Sequence, residues 1–113
     1  MNISTALSAV HQSLVGFAQS PDFWRKLAII FGDEFDRAKA EQLQQQWQAE
    51  DFSQLPLIRV LDQGMDGAWG GYAASQNTIY LSEALLASGF VDRIVAVLLE
   101  EIGHYVDAQV NTV

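Results

Sequence analysis

Leu98-Leu99-Glu100-Glu101-Ile102-Gly103-His104-Tyr105-Val106-Asp107 decides how this chain is read. At about 100° per residue, positions three, four and seven apart share one stripe of a helix. Arg93, Glu100, His104 and Asp107 fall on such a stripe, with Glu101 at its margin. Ile94, Leu98, Ile102 and Tyr105 fall on the other side, and Val95, Leu99 and Val106 extend that apolar arc. The spacing predicts a long amphipathic helix from about Arg93 to Val110, capped by Asp92. Such a polar face has an ordinary explanation, because a half-buried helix needs a solvated side. It also sets two carboxylates and an imidazole within one turn, so a chemical explanation stands beside the ordinary one.

Upstream, the apolar pattern predicts three further helices. Ile3, Leu7, Val10, Leu14 and Phe17 recur at helical spacing. Pro21-Asp22 opens a second helix whose broad apolar face comprises Phe23, Trp24, Leu27, Ala28, Ile30 and Phe31, with Gly32 as its stop. Asp33 is the expected cap of a third, carrying Phe35, Ala40, Leu43 and Trp47, with Gln42 and Gln44 to Gln46 as its solvated side. After Pro56 the period changes. Leu57-Ile58-Arg59-Val60-Leu61 reads as a strand inside a sheet rather than at a solvated edge. Gly64 to Gly71 holds four glycines and reads as a loop or bulge. Tyr72-Ala73-Ala74 and Thr78-Ile79-Tyr80-Leu81 are expected to pair across Ser75-Gln76-Asn77, and Ser82 to cap a short helix closed by Gly89. The fold class is therefore α+β: N-terminal helices, a small sheet of two or three strands and a long C-terminal helix, in a single domain spanning residues 1–113.

Composition narrows the function classes. Six Lys and Arg against fourteen Asp and Glu, a formal charge of −8, argue against nucleic acid, whose phosphates need clustered cations. No apolar run approaches the ~18–20 residues that span a bilayer. The absence of cysteine removes disulfides, thiolate zinc sites and thiol catalysis. Met1 to Phe17 lacks a basic start and a small-residue cleavage signature, so no Sec-type signal peptide is expected. Val113 follows Asp107 by little more than one turn with no Gly or Pro stop, and truncation of a longer protein is expected.

Other candidate residues are weaker. His11, between Val10 and Leu14, reads as structural or solvent-facing. Asp62 to Asp66 offers two carboxylates but lacks the D-x-[DN]-x-[DN]-G spacing of a calcium loop, and reads as a Gly-rich turn. Trp24 and Trp47 read as core or interface aromatics, and Trp69, flanked by glycines, as an exposed contact.

The long helix keeps the second and fifth residues of the zinc motif H-E-x-x-H and replaces the first, since Glu100 stands where the motif has histidine. Two ligands one turn apart converge on one ion, and the residue after the first is placed to act as a base. Gly103 adds a mid-helix glycine, costing about 1 kcal/mol against Ala, which is tolerated where something approaches the helix closely. Glu-Glu-Ile-Gly-His-Tyr-Val-Asp resembles the H-E-x-G-H-x-x-D helix of zincin metalloproteases, notably those with anthrax-lethal-factor-like domains. Asn77-Thr78-Ile79-Tyr80-Leu81-Ser82 resembles the strand bordering their cleft. More closely, Pro21 to Thr112 is similar to a module of cyanobacterial proteins that often carry hemolysin-type calcium-binding repeats.

That resemblance implies a zincin-like domain in which His104 and Glu100 hold zinc and Glu101 is the general base of peptide hydrolysis. It implies that Asp107 orients His104 through its other ring nitrogen. It implies an extracellular or cell-surface protein acting on a peptide or protein substrate, with calcium confined to repeats in a larger parent. The carboxylate at position 100 and the lack of a later Glu ligand lead us to expect weak or no activity from the isolated chain. A non-catalytic binding or folding module of a larger secreted protein is the alternative. If the stripe is a site, it should line a concavity facing the Thr78 to Leu81 strand.

Overall fold

Ala6, Val10, Leu14 and Ala18 recur every fourth residue and form one buried line along helix α1, Ser4–Gln19. This periodicity lets a single helix face be covered by its neighbours. In a computed structural model that describes residues 3–62 and 67–111, α1 is followed by α2 (Phe23–Phe31) and α3 (Arg37–Gln48). Strands β1 (Leu57–Leu61), β2 (Gly70–Ala73) and β3 (Thr78–Ser82) come next, then α4 (Glu83–Ala87) and α5 (Val91–Val110). The described residues are thus α+β with a long final helix, as the sequence pattern predicts.

The three N-terminal helices are joined by aromatic rings. Phe17 of α1 lies 4.9 Å from Phe23 and 6.4 Å from Trp47, between centroids, so that α1, α2 and α3 share one cluster. Phe35 stacks near Trp24 from outside any helix, at 6.1 Å. Burial of Phe35 moves the start of α3 from the expected Asp33 to Asp36. There the side chain accepts from the Lys39 backbone N–H at 3.2 Å, and the Asp36 N–H donates to the Val110 carbonyl at 2.7 Å. The first helical residue thus follows a contact with the end of α5.

Strand order is β1-β3-β2, with β1 parallel and β2 antiparallel to β3. The central strand is β3, where Thr78, Ile79 and Leu81 are buried. This corrects the reading of β1 as an interior strand. It is an edge, with Leu57 65% and Val60 46% exposed, because only β3 pairs with it among the described residues. The β2–β3 connection is a single 3-10 turn, Ala74–Gln76, closed by Asn77 at φ 47°. Gly70 and Gly71, read as loop, belong to β2, and residues 64–66 of that predicted loop lie outside the described residues.

Helix α5 is the middle layer, packed against α1 and α3 on one side and against β2 and β3 on the other. It starts at Val91 rather than Arg93. Asp92 is not its cap but lies in the first turn, where its carboxylate meets the positive end of the helix dipole. On the sheet side, a β carbon on Gly70 would stand 2.7 Å from Val97 Cγ1 and 3.3 Å from the Tyr80 carbonyl oxygen. Only glycine allows β2 to approach α5 this closely. Tyr105 packs edge-on against Tyr72 of β2, and its hydroxyl donates to the Gln54 carbonyl at 3.1 Å.

Candidate metal centre and the groove beside it

Helical spacing carries Glu100 and His104 onto the same stripe of α5, and both side chains are exposed. Glu101 departs from the expectation that it lies at the polar margin. It is 7% exposed, one of two buried polar or charged residues among those described. Position 101 falls one turn after Val97 and one turn before Tyr105, the two residues that meet β2, and so turns toward the sheet. Glu101 makes no hydrogen bond to a described residue, yet no buried side-chain oxygen or nitrogen among them lacks a partner. Its carboxylate oxygens therefore retain contact with solvent at the edge of the helix.

From that edge Glu101 meets the other two. Glu100, Glu101 and His104 each offer a ligand atom, and these atoms lie within 4.8 Å of one another. Burial raises the Glu101 pKa above its ordinary 4.5; nearby His104 opposes the rise and Glu100 adds to it. The donor set, two carboxylate oxygens and an imidazole nitrogen, suits zinc or another divalent ion that accepts mixed oxygen and nitrogen ligands. Donors around tetrahedral zinc stand roughly 3.4 Å apart, from bonds of about 2.1 Å. Glu100 and His104 are exposed, whereas Glu101 is buried. The residues fit the ion, with Glu101 available as donor or as base.

The expected role of Asp107 has a competitor. Its Oδ1 accepts from Asn111 Nδ2 at 2.7 Å, and the same amide donates to the Phe31 carbonyl at 3.1 Å. No hydrogen bond joins Asp107 to His104 among the described residues. The Asp107–Asn111 contact instead ties the end of α5 to the end of α2.

Glu100, His104 and Asp107 do line a concavity, a groove of about 710 Å³. Its opposite walls differ from the expectation. They come from α1, α2 and α3, through residues such as Phe17, Ile30, Phe31 and Trp47, and not from the Thr78 to Leu81 strand. The cause is the layer order: α5 turns Val97 and Tyr105 to the sheet and the Leu99–Val106 side to the helices. The sequence pattern places Ile30 and Phe31 on a broad apolar face and does not indicate their part in the groove. The available signal was the run Leu27-Ala28-Ile29-Ile30-Phe31, more consecutive apolar residues than one helix face can bury. Ile29 and Ile30 indeed remain 75% and 63% exposed.

The remaining candidates stand apart from this centre. His11 is half-buried and stacks on Phe52 at 4.1 Å and 7°, a packing role. Trp47 is buried, whereas Trp24 lies half-buried beneath the Arg37 guanidinium. Trp69 is exposed and carries Arg93 over its ring at 5.4 Å, as its position between glycines suggested. Asp62 is exposed, and the rest of the Asp62 to Asp66 segment lies outside the described residues. No helix among the described residues is long and apolar enough to cross a membrane. Comparison with protein-family models, curated proteins and solved structures finds no match to this chain.

Proposed function

We propose that this chain is a zincin-like, metalloprotease-like module altered at the first position of its metal motif, with weak or no hydrolytic activity by itself. The observation that carries this reading is the convergence of Glu100, Glu101 and His104 donor atoms within 4.8 Å, beside a groove. The sequence resemblance adds its support, and it alone suggests a secreted parent protein whose calcium belongs to separate repeats.

Zinc in such a centre supplies a Lewis acid that polarises a peptide carbonyl. His104 contributes a neutral nitrogen donor, whereas Glu100 contributes a charged oxygen that lowers the net positive charge of the centre. Glu101 has the character of a general base, because burial moves its proton exchange toward neutrality. It cannot serve as base and ligand together. As a ligand it leaves no base; as a base it leaves Glu100 and His104 as the only donors of the triad. Under either assignment the proposed module is expected to be a weak catalyst or none.

The test is Glu100→His, which rebuilds the histidine pair at i, i+4. Zinc affinity is expected to rise at least about tenfold, the lower end of what even an outer partner of a ligand contributes. Hydrolysis of a fluorogenic peptide should rise with it. Unchanged zinc affinity would contradict the zincin reading of α5. The non-catalytic binding module is the second reading, favoured by the apolar groove and the exposed Ile30 on its wall.

A further inference from the structure

The groove beside the triad has three properties that together describe an occupant. Its walls are apolar over much of their extent, through Phe17, Ile30, Phe31, Leu99 and Val106. Gly103 lies among them, in ordinary helical backbone, and a β carbon built there meets nothing within 4 Å. Packing within the chain therefore does not require this glycine, and helix propensity disfavours it. Its effect is to leave the α5 backbone open to close approach from outside.

Charge is the second property. Glu100 and Asp107 both line the groove, seven residues or about 10 Å apart along α5. No Lys or Arg lines it. Arg25 pairs with Asp22 at 3.2 Å, Lys26 donates to Ser20, Arg37 lies over Trp24, and Arg93 lies over Trp69 and Phe90. Among the described residues the Asp107 carboxylate is met only by the neutral amide of Asn111. Arg25–Asp22 is the one ion pair among the described residues, so Glu100 and Asp107 are both carboxylates without a Lys or Arg partner there.

The third property is that no strand contributes to the lining. An extended peptide bound here would find no sheet edge for its backbone, whereas a helix satisfies its own backbone groups. The geometry points to a cationic amphipathic helix as the partner of this groove. Its apolar residues at i, i+3, i+4 and i+7 lie over Gly103, and its Lys or Arg, two turns apart, face Glu100 and Asp107. This goes beyond the metal reading, because Gly103, Ile30 and Asp107 are not donors of the triad. Glu100 and His104 are the residues the two share.

The probe is a labelled peptide of about 15 residues, near the length at which isolated helices become marginal, with Leu and Lys at amphipathic helical spacing. Binding is followed by fluorescence anisotropy in the presence of a chelator. Saturable one-to-one binding is expected, weakening as salt rises. Gly103→Leu, which fills the groove from a good helix-forming residue, should weaken binding at least tenfold at unchanged circular dichroism. Ile30→Lys, at an exposed position, should weaken it similarly by adding a like charge. No binding, equal binding of a peptide with Glu in place of Lys, or affinity indifferent to both variants would overturn the proposal. So would a dimer of the chain that Gly103→Leu dissociates, since a second copy would then own the groove. Zinc titration of the same samples reports the metal reading separately, so the two can fail independently.

Discussion

Glu101 and His104, three residues apart on α5, bring ligand atoms within 4.8 Å although one side chain is buried and the other exposed. Helical geometry accounts for the contrast. Glu101 shares the line of Val97 and Tyr105 that meets β2, whereas His104 shares the line of Glu100 that opens on the groove. The buried member has a raised pKa, while the exposed members face solvent.

Burial of Glu101 carries a stability cost that depends on pH. Its folded pKa is raised above the ordinary 4.5, so the folded chain retains a proton that the unfolded chain has released. Stability from this group is full below that value and falls as pH rises toward the folded pKa. Glu101→Gln is expected to be more stable than the parent at neutral pH and to lose this part of the slope. Urea unfolding at a series of pH values measures it; an unchanged slope would mean that burial does not raise the Glu101 pKa.

Gly70 sets the distance between sheet and helix. Gly70→Ala places a β carbon 2.7 Å from Val97 Cγ1, with the Tyr80 carbonyl closing the other side. Relief requires the Val97 side chain, the strand or the helix to shift, at a cost of about 1–3 kcal/mol. Gly70→Ala combined with Val97→Ala should recover part of that loss, and thermal unfolding of the pair and the single variant distinguishes crowding from a turn effect.

Tyr105 anchors α5 to the segment before β1. Its hydroxyl bond to the Gln54 carbonyl spans 51 residues of sequence. Tyr105→Phe removes the donor and keeps the edge contact with Tyr72, and a loss of about 1 kcal/mol is expected. Chemical denaturation reads the loss directly.

Gly103 predicts the opposite sign. With open space at its β position, Gly103→Ala should stabilise the chain by about 0.5–1 kcal/mol. A destabilised Gly103→Ala would show that the helix needs glycine for its own packing.

Periodicity made the helices legible, since Ala6 to Ala18 and Ile94 to Val110 each bury one face. Turn chemistry made the β2–β3 pairing and the Ser82 cap legible, the latter through the Leu85 N–H bond to Ser82 Oγ at 3.1 Å. The apolar β1 misled because an apolar strand and an interior strand share one pattern, and pairing order is a tertiary property. Asp33 and Asp36 are equivalent as caps in sequence; the burial of Phe35 between them decided the matter. The triad followed from spacing on one helix, which needs no tertiary knowledge. The groove did not, because its walls come from four helices and depend on the direction in which α5 faces the sheet. Glu101 was misplaced for the same reason.

Zinc titration by competition with a chromophoric chelator tests most directly whether Glu100, Glu101 and His104 form a metal centre. One zinc per chain is predicted, with affinity reduced at least about tenfold in His104→Ala. Absence of binding, or binding that His104→Ala leaves unchanged, would contradict it and leave the polar stripe of α5 as a solvated face.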